Sequence, residues 1–69
     1  MSIVKVIEVI CEGKTVEDAM QAGVAEAAKT VKDIKQINVS YIEGLVENNK
    51  ITKYRVNAKI SFLVNNSIK

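Results

Sequence analysis

Apolar positions along this chain recur with two different periods. Residues 3–11, IVKVIEVIC, are short and β-branched and read as a strand, with Ile7 and Val9 toward a core and Val4, Val6, Glu8 and Ile10 on the other side. That second side is itself largely apolar, a first sign of a partner. From Val16 the spacing lengthens. Val16, Met20, Gly23, Val24, Ala27, Val31 and Ile34 follow a helical repeat, opposite Glu17, Gln21, Glu26 and Asp33. Period two then returns over residues 35–47 and 51–64. Tyr54, Val56, Ala58, Ile60, Phe62 and Val64 alternate with Lys53, Arg55, Asn57, Lys59 and Ser61.

The segments between these elements carry the chemistry of turns. EGKT, residues 12–15, leads into the helix, where Gly13 loosens the chain and Thr15 is the expected N-cap. Asp18 offers a weak capping box and, with Glu17, favours the positive helix end; Lys29 and Lys32 suit the other end. ENNK, residues 47–50, predicts a tight hairpin, because Asn tolerates left-handed backbone. Gly44 predicts a bulge or bend, and NNSIK at the end a frayed terminus. The expected fold is α+β: one domain over 1–69 in β-α-β-β order, with a three-stranded antiparallel sheet curled around one helix.

Lengths then imply company. Each hairpin strand spans roughly 43–46 Å, whereas a helix of about 17 residues spans only ~26 Å. The helix cannot cover the sheet, so Phe62 and Val64, or Leu45 and Val46, need shelter from another copy. Composition agrees. At 69 residues one small core is possible, and Cys11, the single cysteine, cannot form an internal disulfide. With no His there is no zinc-ligand pattern, which leaves self-association as the extra source of stability. A net charge of +2 gives little reason to expect nucleic acid. No signal peptide and no membrane-length apolar run are evident, so a cytoplasmic protein with reduced Cys11 is expected.

Candidate chemistry is sparse. No nucleophile has an activating neighbour, and Gly13-Lys14-Thr15 lacks the upstream glycine of a phosphate loop, so no enzyme is expected. The polar, almost uncharged strand face of Gln36, Asn38 and Ser40, beside Arg55 and Asn57, is the candidate ligand surface; a subunit junction or water-filled cavity would use the same groups. Arg55 suits a phosphate or carboxylate, or an ion pair with Glu43 or Glu47 of a neighbour. Lys14 offers an anion contact, Glu17 and Asp18 a cation contact, and Cys11 reads as a small buried hydrophobe. Tyr41 and Tyr54 read as core edges.

KVIEVI at 5–10, AMQAGVAEAAKTVKDI at 19–34 and KYRVNAKISFLV at 53–64 together resemble the dodecins over nearly the whole chain. The resemblance implies a small flavin-binding or flavin-storing protein assembled as a hollow homododecamer, helices outward and sheets inward. In that family an aromatic pair opens the second strand, and its Trp stacks on the flavin. Gln36 and Ile37 stand there in this chain, Arg55 replaces a Gln that contacts the ring edge, and CEGKT replaces a GTS-like loop. Gln36 has no large π face, and aromatic stacking contributes about 0.5–1.5 kcal/mol beyond burial in protein pairs and up to ~3 for nucleobases. The expectation is a dodecin-like oligomer with flavin (FMN or riboflavin) held weakly or not at all, and another small ligand or ion, or none, in its place. The alternatives are flavin held by Gln36 and Arg55, and a basic nucleic-acid module using Lys53, Arg55 and Lys59.

Overall fold

The computed structural model describes residues 3–64. Strand β1 (Ile3–Gly13) is followed by helix α1 (Val16–Ala27) and by strands β2 (Ile34–Glu47) and β3 (Lys50–Val64). The three strands form one antiparallel sheet in the order β1-β3-β2, with the helix on one face. The expected element order and sheet are therefore present. NNSIK lies outside the described residues.

The hairpin closes as its asparagines dictate. Asn48 (φ 52°) and Asn49 (φ 63°) both take left-handed backbone, the pattern of a two-residue type I′ turn whose twist matches the strands it joins. At the helix start, Thr15 Oγ1 accepts a hydrogen bond from the Asp18 N–H at 3.0 Å. Gly13 tightens this corner rather than loosening it. A Cβ there would collide with the Ala19 backbone, so the strand can tuck under the first helical turn.

The helix is shorter than its apolar spacing suggests. It ends at Ala27, and Val31 and Ile34 lie beyond it. The N–H groups of Thr30 and Val31 both reach the Ala27 carbonyl, each at 3.0 Å, and the Thr30 hydroxyl donates to the same oxygen at 3.4 Å. Asp33 then takes φ 55° and turns the chain into β2. The β-branched pair Thr30-Val31, with Asp33 two residues on, offers the backbone an exit from the helix. Lys29 and Lys32 consequently fall outside the last turn; Lys29 instead pairs with Glu26 at 3.1 Å in the open.

Twelve helical residues at 1.5 Å each cover about 18 Å, beneath a molecule 57 Å long. The core is correspondingly compact. Val56 on β3 is fully buried, and Ala58 and Cys11 nearly so, against Ala19 of the helix, and Ile60 further along β3 is fully buried as well. Ile7 and Val9 are half-buried on the same side, as the alternation in β1 predicts. Burying a branched side chain such as Ile60 contributes roughly 1.5–3 kcal/mol. The helix meets the sheet through Ala19, Gly23 and Ala27, its buried residues, a stripe of small side chains that lets the two backbones approach closely. Sequence spacing places Gly23 and Ala27 on that stripe but leaves out Ala19, the most buried of the three.

Outside this compact zone much apolar surface is uncovered. Val4, Val6 and Ile10 are 57%, 53% and 66% exposed on the face away from the helix, and Ile42, Val46 and Ile51 are exposed toward the hairpin tip. The tip extends past β1, whose pairing with β3 stops at Gly13 opposite Tyr54.

Candidate functional site

Strand pairing decides which side chains share the face away from the helix. Along β3 the inward residues are Val56, Ala58 and Ile60, so Arg55, Asn57, Lys59 and Ser61 point the other way. Their partners form rows across the sheet: Val6, Ser61 and Gln36; Glu8, Lys59 and Asn38; Ile10, Asn57 and Tyr41; Glu12, Arg55 and Glu43. Gln36, Asn38, Asn57 and Arg55 thus share one face, as the alternation predicts. They do not gather at one point. The Gln36 row meets β3 at Ser61, six residues along from Arg55, about 20 Å at ~3.3 Å per residue. Gln36 and Arg55 of one chain cannot grip one small ligand together.

Tyr41 is the correction. Val39 pairs with Ala58 and Tyr41 with Asn57, which leaves Ser40 without a partner as the extra residue of a β-bulge. The bulge reverses the phase of β2. Ile37 and Val39 face the helix before it, and Ile42, opposite Val56, does so after it. Tyr41 therefore joins the outer face, 59% exposed, instead of edging the core. The sequence carries a trace of this, since the apolar positions move from odd (Ile37, Val39) to even (Ile42). Further shifts fall at Lys35 and at Thr52, whose hydroxyl donates to the Leu45 carbonyl at 3.3 Å. Gly44 itself stays in register with Tyr54, and the irregularity lies one residue on. Tyr54 is half-buried on the helix side, as expected.

Two groups on this face have defined chemistry. Arg55 is already engaged, by Glu12 of its own chain. Arg55 Nε and Nη2 both lie 3.0 Å from Glu12 Oε2, and Lys53 Nζ donates to Oε1 at 2.9 Å. The Lys53 and Arg55 hydrogen bonds hold the Glu12 carboxyl below the usual carboxylate range. The second feature is a cleft of about 300 Å³ lined by Glu8, Val9, Ile10, Ser40, Tyr41, Asn57 and Ala58. Of the sequence-derived candidates Ser40 and Asn57 line it; Gln36, Asn38 and Arg55 lie along the face to either side.

The remaining candidates are quieter. Cys11 is buried against the helix, and burial pushes its thiol pKa up, which favours the inert protonated form. Lys14 is exposed in the β1–α1 corner. Among the described residues no three His, Cys, Asp or Glu side chains cluster as a metal site, and no helix is long and apolar enough to cross a membrane.

Comparison with known proteins places this architecture. Among curated proteins none matches the chain. Among solved structures, the tt0972 protein from Thermus thermophilus is 24% identical and superimposes with a TM-score of 0.89, covering 97% of this chain and 100% of its own. Dodecin from Streptomyces coelicolor is 22% identical, with a TM-score of 0.86 and 96% of each chain covered. Dodecin from Streptomyces davaonensis is 18% identical, with a TM-score of 0.84, covering 93% of this chain and 96% of its own. The Dodecin family model matches residues 3–65. With the β-α-β-β order, the β1-β3-β2 sheet and this match over nearly its whole length, the chain belongs to the Dodecin family.

Proposed function

We propose that the protein is a non-enzymatic, cytoplasmic dodecin that assembles as a homo-oligomer of twelve copies, takes a small ligand on the sheet face away from the helix, and holds flavin weakly or not at all. One observation carries the flavin part of this reading. Gln36 occupies the outer face of β2 where the family resemblance implies a stacking aromatic, and its row holds only Ser61 and Val6 beside it. A carboxamide makes hydrogen bonds but offers no π surface to a flavin ring. Assembly is supported by the apolar side chains that one chain leaves in water on both sides of the sheet.

The competing reading is flavin storage through Gln36 and Arg55. It would need the two residues from different copies, and Arg55 would have to leave Glu12 or share it. A nucleic-acid surface is less well supported. Lys59 lies opposite Glu8, and Arg55 lies between Glu12 and Glu43, so carboxylates offset the cations row by row.

Sedimentation combined with a riboflavin titration tests the proposal. Twelve chains of 7.6 kDa give a species of about 91 kDa. Riboflavin fluorescence should stay largely unquenched at low micromolar protein. A stable folded 7.6 kDa species refutes the assembly, and tight quenching restores flavin storage.

A further inference from the structure

The cleft beside the Ser40 bulge is separate from the Gln36 row. Ser61 lies four residues beyond Asn57 on β3, about 13 Å at ~3.3 Å per residue. Its walls come from the two edge strands, Glu8 and Ile10 from β1, Ser40 and Tyr41 from β2, and its floor from Asn57 and Ala58 of β3. The two walls stand two strand spacings apart, about 9.6 Å, a width that suits a fused-ring system. Its volume of about 300 Å³ lies at the small end of ligand sites, which combine apolar walls with a few convergent polar groups.

The lining chemistry narrows the occupant. Tyr41 supplies an exposed aromatic ring, put there by the bulge, and Ile10 an exposed aliphatic wall. Asn57 supplies both a donor and an acceptor. Glu8 is the charged residue of the lining. Lys59 lies opposite Glu8 in register but does not line the cleft, and among the described residues Glu8 makes no ion pair. An aromatic ring and a carboxylate that makes no ion pair among the described residues, together at one cleft, favour a cation with a flat face and disfavour a phosphate.

We propose that this cleft binds a small planar heteroaromatic cation, its ring against Tyr41 and Ile10, its charge toward Glu8 and its ring heteroatoms toward Asn57. This deepens the reading of the sheet face as a ligand surface and assigns it a site and a ligand class distinct from flavin.

The test is a titration of the assembled protein with 9-aminoacridine, followed by fluorescence, with FMN titrated in parallel. Saturable binding of the aminoacridine is expected, with FMN bound more weakly. Tyr41→Leu should weaken the aminoacridine at least about fivefold while Tyr41→Phe retains it. Glu8→Gln should weaken it and remove most of the salt dependence. Absence of saturable binding up to about 1 mM, or full affinity in Tyr41→Leu, overturns the proposal. So does a changed sedimented mass in Tyr41→Leu, which would make Tyr41 an assembly contact instead. The functional reading above fails on different results, a monomeric mass or tight riboflavin binding, so the two failures are distinguishable.

Discussion

Cys11 and Gly23 occupy complementary positions across the helix–sheet contact: the Cys11 sulfur fills the space that a side chain on Gly23 would need. The helix can lie this close to β1 because position 23 carries no Cβ.

Gly23→Ala sets two effects against each other. Alanine improves helix propensity by about 1 kcal/mol, while an added methyl overlapping a buried sulfur costs about 1–3 kcal/mol. The overlap should win, with a net loss of about 1 kcal/mol or more in urea unfolding. Adding Cys11→Ala should recover much of that loss. Equal stability of Gly23→Ala and the parent protein would mean that the contact is looser than its geometry.

Cys11 also predicts a pH dependence. Its thiol pKa is raised by burial, so the folded state keeps the proton more firmly than the unfolded chain. The resulting stability is fully present below the unfolded thiol pKa, near ~8.5, and is lost as pH rises through the raised folded value. Urea midpoints should show an extra decline on the alkaline side that Cys11→Ala lacks. A thiol reagent should meanwhile react slowly with the native protein and quickly once it is unfolded. Identical alkaline profiles for the two proteins would exclude this contribution.

Gln36→Trp tests whether the missing stacking surface limits flavin binding. Base-stacking aromatics contribute about 1–3 kcal/mol each, so riboflavin affinity should rise roughly tenfold or more in a protein of unchanged sedimented mass. An assembled Gln36→Trp protein that still ignores riboflavin would show that position 36 does not face the flavin.

The hairpin tip predicts an effect on assembly. Val46 and Ile51 face each other in register, both exposed, past the end of β1. If sister copies cover them, Val46→Lys with Ile51→Lys should lower the sedimented mass while the circular-dichroism spectrum stays folded. An intact assembly would place the contacts elsewhere on the sheet.

The element order was legible because it is local. Thr15 caps the helix and Asn48-Asn49 close the hairpin through their own backbone preferences, and the β3 alternation runs unbroken from Tyr54 to Ile60. The helix end was not legible, because Val31 and Ile34 sit at helical spacing by coincidence while Thr30 and Asp33 redirect the backbone. The candidate face was half legible. Alternation places Gln36, Asn38, Arg55 and Asn57 on one side of the sheet, yet it cannot reveal the distance between them or that Glu12, far away in sequence, engages Arg55. Tyr41 escaped because a period-two rule assumes that no residue is skipped.

The unpaired Ser40 separates the length of β2 from its frame. A relative lacking that one residue would keep every downstream neighbour, since Tyr41 would still meet Asn57. An ungapped alignment of the two chains would nonetheless exchange interior and exterior for the rest of the strand, and ancestral reconstructions that ignore the indel would inherit the inversion.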